Sequence, residues 1–143
     1  MVRMEDPVDV IVDELTASWT QANTDNKKPT ITAIYDVKRI DAGNADYVLV
    51  YALDHTERAA SLGFTHIDYI DTVSIDIRTS SSRARMIKVR DEVRRLIYAK
   101  RKSLSGYKQL GVIRGKDLSD RSIKLWRYVI DVKLWKILTT VPS

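Results

Sequence analysis

The chain has 143 residues, 44% of them hydrophobic and 30% charged, and this composition predicts one globular domain over residues 1–143 rather than a disordered chain. It has no cysteine, which excludes disulfides, thiolate metal sites and a cysteine nucleophile, and no apolar run approaches the roughly 20 residues of a membrane span. The formal net charge is +5, and residues 1–6 lack an apolar core, so we expect neither a secretory signal nor a membrane partner.

A short amphipathic helix is predicted at the beginning of the chain, where Asp6 can cap the helix and Pro7 can occupy its first turn. Its apolar stripe recurs at helical spacing and consists of Val8, Ile11, Val12, Leu15 and Trp19. Alternating β-branched residues then predict a strand over 30–40 and a second over 47–53. The turn-forming residues of 41–46 predict that these two strands form a hairpin.

A short helix and a third strand are predicted next. Residues 54–57 have the spacing of a capping box and Gly63 can end a helix, so we expect a short helix over 58–62. The third strand is predicted over 65–78, because apolar and polar residues alternate there. Its apolar face is formed by Ile67, Tyr69, Val73, Ile75 and Ile77. Its other face carries Asp68, Thr72, Ser74, Asp76 and Arg78.

A long basic helix is the most distinctive element of the sequence. The serines of 80–82 can cap it, and we expect it to continue to about Leu104, before Ser105 and Gly106. Its predicted buried stripe is Met86, Val89, Val93, Leu96 and Ile97. Residues 83–102 hold nine basic and two acidic side chains, hence a charge of +7, whereas the rest of the chain carries −2. Such a run is typical of a solvated helix face, a nucleic-acid interface or a contact with an acidic protein surface.

The last part of the chain predicts two strands, over 107–113 and 122–138, joined by a polar turn over 114–121. One face of the final strand is formed by Trp126, Tyr128, Ile130, Val132 and Leu134. The other face carries Arg127, Asp131 and Lys133. The element order predicts an α+β fold of two layers, with a mostly antiparallel sheet of about five strands and two main helices on one face.

The histidines and serines form no recognisable metal or catalytic motif. His55 and His66 have no third ligand at metal-like spacing, and we interpret both as surface residues. The serines of 80–82 are explained by helix capping, and the sequence has no Gly-rich phosphate loop. We therefore predict that the protein is not an enzyme and has no cofactor, catalytic residue or metal site.

A metal-dependent nuclease is the sharpest enzymatic alternative. Such enzymes hold Mg²⁺ with carboxylates on neighbouring strands and position water with a lysine. Asp-x-Lys triplets occur at 36–38 and 131–133, and an Asp-x-Arg triplet occurs at 76–78. A three-residue pattern arises readily by chance in a charged chain, and cross-strand pairing with Arg127 or Lys133 accounts for these aspartates equally well.

A basic nucleic-acid-binding protein is the stronger alternative. Residues 83–102 supply positive charge, and Tyr98, Tyr107 and Trp126 supply aromatic groups on which bases could stack. However, the sequence contains no helix-turn-helix or RNA-recognition motif, and its tryptophans are more simply core or interface anchors. The candidate side chains for a protein interface or a nucleic-acid-facing surface are Arg83, Arg85, Arg90, Arg94 and Lys100.

Three segments of the chain carry a resemblance to a known family. DPVDVIVDELTASW (6–19) is an amphipathic opening helix, DTVSIDIRTSSSRARMIKVRDEVRRLI (71–97) is a strand followed at once by the main helix, and LWRYVIDVKLWKIL (125–138) is a long closing strand. In this order and spacing they resemble the tail terminator, or tail-completion (head–tail joining), proteins of long-tailed bacteriophages and related archaeal viruses. The strongly basic character of the helix is not a required feature of that family.

The resemblance implies a structural virion protein without catalytic residues or a cofactor. It implies a homo-oligomer, a hexameric ring that caps the tail tube protein and joins it to the neck or connector protein. The expected location is the tail–neck junction of the virion, after assembly in the host cytoplasm. Asp76 would then be a structural strand residue, and the basic helix would face a neighbouring protomer or packaged DNA. Head-side adaptors of similar size and role are the alternative within this class.

Overall fold

The computed structural model describes residues 6–33, 46–59 and 66–139. Two 3-10 turns, Gln21–Thr24 and Arg121–Ile123, accompany the main elements of these residues. The main elements are α1 (Pro7–Ser18), β1 (Thr30–Ala33), β2 (Tyr47–Ala59), β3 (His66–Thr79), α2 (Arg83–Ala99), β4 (Gln109–Asp117) and β5 (Trp126–Thr139).

The five strands of the described residues form one sheet in the order β1-β2-β3-β5-β4. β1 and β2 are parallel, and every other pair is antiparallel. β3, α2 and β4 make a split β-α-β unit, because β5 lies between the two parallel strands. α1 packs on β1, β2 and β3, and α2 packs on β3, β4 and β5. The predicted α+β class, with a mostly antiparallel sheet and both helices on one face, is confirmed.

The core lies between this helical layer and one face of the sheet. The sheet contributes Val48, Val50, Val73, Ile75, Ile77, Ile130, Val132 and Leu134, all at most 1% exposed. The predicted stripe of α2 is buried against them. The predicted stripe of α1 is buried except for Val12, which is half-buried, and Val10, which was not predicted, is buried as well. Asp6 caps α1 through its carboxylate, which accepts a hydrogen bond from the Val8 amide at 2.9 Å, with Pro7 in the first turn as predicted. Among the described residues, no helix combines the length and apolar character that crossing a bilayer requires.

The predicted hairpin between strands 30–40 and 47–53 is wrong for the described residues of the first strand, 30–33. β1 runs parallel to β2, in register from Thr30 beside Tyr47 to Ala33 beside Val50. Residues 34–40 and most of the predicted turn lie outside the described residues. Alternation identifies a strand but not its direction, and about a dozen residues between two strands are enough for a parallel crossover.

The capping-box interpretation of residues 54–57 is also wrong, because these residues continue β2 to Ala59. They pair with β3, for example His55 beside Asp71 and Glu57 beside Tyr69. A ladder of backbone hydrogen bonds to β3 outweighs one local capping pattern. The remainder of the predicted helix lies outside the described residues.

Other boundaries shift at their ends. α2 ends at Ala99 rather than near Leu104, which instead forms a bridge with Tyr107 around the left-handed residues Ser105 and Gly106. β4 continues to Asp117, through the first part of the predicted polar turn, because it stays paired with β5. β3 agrees closely with its prediction, whereas β5 begins at Trp126 rather than at residue 122, because Arg121–Ile123 form a 3-10 turn.

Candidate functional site

The five candidate interface residues were predicted on the basic helix α2. Arg85 is the one among them that is buried. Its side chain is buried, and Nε donates to Asp46 Oδ2 at 2.7 Å. The two terminal nitrogens donate to the backbone carbonyls of Thr24 and Lys27. Through these hydrogen bonds Arg85 connects α2 to the turn that follows α1. The prediction of an exposed Arg85 is wrong because its helical position points inward, where an ion pair and two carbonyls satisfy the guanidinium.

Arg90 and Arg94 converge on Tyr128 of β5. Arg94 Nη2 donates to the Tyr128 hydroxyl at 2.8 Å, and the two guanidinium carbons lie 5.1 Å (Arg90) and 5.3 Å (Arg94) from the ring centroid. Gly115 of β4 leaves room for this cluster, since a Cβ there would stand 2.7 Å from the hydroxyl oxygen. Both arginines are partly buried by this contact, which stabilises the packing of α2 on the sheet.

Arg83 and Lys100 are exposed at opposite ends of α2. Lys100 Nζ lies 3.9 Å from Glu14 of α1, and Arg83 contributes to lowering the pKa of Asp117, after the stronger hydrogen bonds from Ser119. The two side chains are separated by about 25 Å of helix, at 1.5 Å per residue. Of the five predicted residues, the structure thus brings only Arg90 and Arg94 together.

Glu92, on the same helix, is buried and holds the segment after α1. It accepts hydrogen bonds from the Thr20 amide at 2.7 Å, from Asn23 Nδ2 at 3.1 Å and from Arg95. Burial alone would raise the pKa of Glu92, but the hydrogen bonds from Arg95, Thr20 and Asn23 outweigh it, and the pKa is lowered. The role of Glu92 was not predicted from the sequence. A single Glu among many basic residues on a helix is usually exposed and paired with its helical neighbours.

The sheet face away from the helices carries the two nuclease candidates, and both are ion-paired. Asp76 is 1% exposed and accepts from Arg127 Nε at 3.0 Å and Nη2 at 2.8 Å, as well as from Arg78. Asp131 is 5% exposed and is held by Ser74 Oγ at 3.0 Å and by Arg114. Cross-strand pairing therefore accounts for Asp76 as predicted, whereas the partner of Asp131 is Arg114 rather than Lys133.

No metal site is assembled in the described part of the chain, where no three His, Cys, Asp or Glu side chains cluster closely enough to hold an ion. The triplet at 36–38 lies outside it. His55 is 44% exposed in its side chain, in agreement with a surface position, and contacts Glu57 at 2.9 Å and Asp71. Hydrogen bonds with Glu57 and Asp71 raise its pKa. His66 is exposed, as predicted.

Four exposed apolar side chains, called the apolar patch below, lie on β4, an edge strand of the sheet, and in the turn that follows it. Its members are Val112 (41% exposed), Ile113 (56%), Leu118 (39%) and Ile123 (67%). Apolar side chains grouped on an edge strand mark a surface that can bind protein. The sequence signal was present in the run of 110–113, but it reads equally well as a core strand.

Comparisons with known proteins give a likeness of fold. No protein-family model matches the sequence, and no curated protein sequence matches it. Among solved structures, the chain is similar to a chain described as "Virion of native gene transfer agent (GTA) particle". The TM-score is 0.62 at 13% sequence identity, over 90% of this chain and 92% of that chain. The two chains therefore share one fold over nearly their whole lengths.

Proposed function

We propose that this protein is a structural virion subunit, a tail terminator that forms a hexameric ring, caps the tail tube and joins it to the neck or connector. The observation that carries the proposal is the shared fold with a chain of a gene transfer agent virion, over 90% of this chain. The three segments that resemble the tail terminator family support it, since they form α1, the β3–α2 unit and β5. These elements carry most of the core residues.

A closed ring needs two different surfaces on each subunit, one at each side. The apolar patch on β4 supplies one such surface at the end of the sheet. α1 lies toward the other end, over β1, β2 and β3, and its only charged residues are acidic: Asp9, Asp13 and Glu14. β4 carries Arg114, which also pairs with Asp131, together with Lys116 and Asp117, so its net charge is +1. Apposition of these two sides in neighbouring protomers would place the acidic residues of α1 near this positive charge.

Mass photometry and negative-stain electron microscopy of the purified protein test the ring. We expect a concentration-dependent species at six times the 16.4 kDa chain, seen as a ring in projection. Added to growing tail tubes, this species should stop their elongation. A chain that stays monomeric at every concentration and leaves tube length unchanged would contradict the proposal.

Ile123→Asp tests the β4 side of the contact. Its side chain is 67% exposed and lies outside the core, so the variant should fold normally but fail to form rings. Tyr98→Asp is the matched control, because Tyr98 is 66% exposed on α2 and receives the same new side chain. Rings that survive Ile123→Asp would exclude this patch from the subunit contact.

A further inference from the structure

A cationic groove opens on the sheet face away from the core, at the end that carries Trp135. Its volume is about 850 Å³, and its floor includes Ile70, Trp135 and Gly111. Trp135 stands beside Ile70 on β3 and beside Gln109 on β4, so the floor crosses three adjacent strands. Gly111 lies beside Lys133, and the space above it is open, since a Cβ there would meet no atom within 4 Å.

The charged side chains among the described lining residues of this cationic groove are all positive. Among its described lining residues five are basic and none is acidic; the basic ones are Arg58, Arg101, Lys102, Lys108 and Lys133. Arg58 is paired with Asp68, and Arg101 stacks on Tyr98 at 4.1 Å. In the described part of the chain no carboxylate lies within ion-pair distance of the three lysines, which are all exposed. The groove thus concentrates positive charge that the protein itself leaves largely unneutralised.

We propose that the cationic groove binds single-stranded nucleic acid. Lysines on flexible stems suit phosphate oxygens, which need no fixed geometry, and an aromatic side chain on the floor offers a stacking surface for an unpaired base. Lys133 and Trp135 are two residues apart on the same face of β5, about 7 Å along the strand. A phosphate at Lys133 and a base on Trp135 can therefore belong to one strand. The proposal does not depend on ring formation, and it assigns the contact to residues outside α2.

Fluorescence anisotropy with a labelled single-stranded oligonucleotide, across a salt series, tests the groove. Lys108→Gln/Lys133→Gln should weaken binding and reduce the salt slope by about 1.4, since each phosphate contact on a single strand contributes about 0.7. Lys88→Gln/Lys124→Gln is the matched control, because it removes two exposed lysines outside the groove and should leave the slope unchanged. An equal loss in both variants would overturn the assignment.

Two further variants separate the parts of the groove. Trp135→Leu should weaken single-strand binding about tenfold and hardly affect a duplex of the same sequence, because paired bases cannot stack on it. Gly111→Glu should abolish binding without unfolding the chain, since it adds a carboxylate to the open floor. Undetectable single-strand binding by the native protein, or tighter binding of an acidic peptide than of the oligonucleotide, would overturn the proposal and, in the second case, assign the groove to a protein partner.

Discussion

Arg127 on β5 donates two parallel hydrogen bonds to Asp76 on β3, from Nε to Oδ1 at 3.0 Å and from Nη2 to Oδ2 at 2.8 Å. The carboxylate is 1% exposed although it lies on the sheet face opposite the helices. The hydrogen bonds to Asp76 raise the pKa of Arg127, so this guanidinium stays charged. A bidentate pair between the two longest strands fixes their register as well as neutralising the buried charge.

Removal of Asp76 should destabilise the fold. Asp76→Ala leaves the Arg127 guanidinium partly buried without its partner, and we expect a loss of about 3–5 kcal/mol in the free energy of unfolding. Asp91→Ala is the control, because the Asp91 side chain is 58% exposed and its surface pair with Arg90 contributes about 0–1 kcal/mol. Urea titration followed by tryptophan fluorescence measures both. Equal effects in the two variants would show that the pair on β3 and β5 adds nothing to stability.

The same pairing predicts the absence of nuclease activity. Asp76 and Asp131 are each held by guanidinium groups that a metal ion would have to displace. We expect supercoiled DNA to stay intact with the purified protein and Mg²⁺ or Mn²⁺, as judged on agarose gels. Metal-dependent cleavage that is lost in Asp131→Asn and kept in Asp117→Asn would contradict this prediction and establish an enzyme.

Two glycines on β4 should respond differently to the same substitution. Gly115→Ala places a Cβ 2.7 Å from the Tyr128 hydroxyl and 3.2 Å from Arg94 Nη2, so the contact between α2 and β5 must shift, at a cost of about 1–3 kcal/mol. Gly111→Ala meets no atom within 4 Å and should be nearly neutral. Thermal unfolding of the two variants provides the comparison. Identical melting temperatures would mean that Tyr128 moves aside at no cost.

The orientation of α2 can be tested with two residues of that helix. Leu96 is 3% exposed and belongs to the core, so Leu96→Ala should lower the free energy of unfolding by about 2–5 kcal/mol. Tyr98 is 66% exposed, and Tyr98→Ala should change it by about 0.5 kcal/mol or less. Guanidinium chloride titrations of both variants check this contrast. The reverse order would require a different face of α2 to be buried.

Glu92 should make stability fall in acid. Its pKa in the folded protein is lowered from 4.5, so its contribution is fully present above pH 4.5 and is lost as the pH falls through the folded value. Glu92→Gln should therefore be less stable than the native protein at neutral pH, by about 1–3 kcal/mol. This difference should shrink as the solution is acidified below pH 4.5. Melting temperatures of both proteins between neutral and acidic pH measure it; a difference that is constant with pH would contradict the ionised role of Glu92.

Long periodic elements were predictable from the sequence. α1, β3, α2 and β5 each present an apolar face with a clear period, and burial of that face decides both the element and its orientation. The direction of β1 was not predictable, since a period of two is the same in either direction. The short capping pattern at 54–57 failed because β3 offers those residues a partner that local chemistry cannot reveal.

The surfaces were less predictable than the fold. A count of charges treats every basic residue of α2 alike. In the structure, Arg85 is buried and donates to carbonyl groups from another part of the chain. Arg90 and Arg94 lie over the ring of Tyr128. The cationic groove is assembled from segments as distant in sequence as Arg58 and Lys133, so no linear pattern marks it. Its lysines are recognised only when the strands are side by side.

The position of β5 in the sheet affects how the chain folds while the ribosome synthesises it. Among the described residues, β5 is the strand that is synthesised last, yet it lies inside the sheet, between β3 and β4. Until residues 126–139 have left the exit tunnel, β3 and β4 each present an unpaired edge, and the core lacks Ile130, Val132 and Leu134. The sheet can therefore be completed only after residues 126–139 have left the exit tunnel. Nascent chains that stall before this strand expose two sticky edges and are the form of the protein most in need of a chaperone.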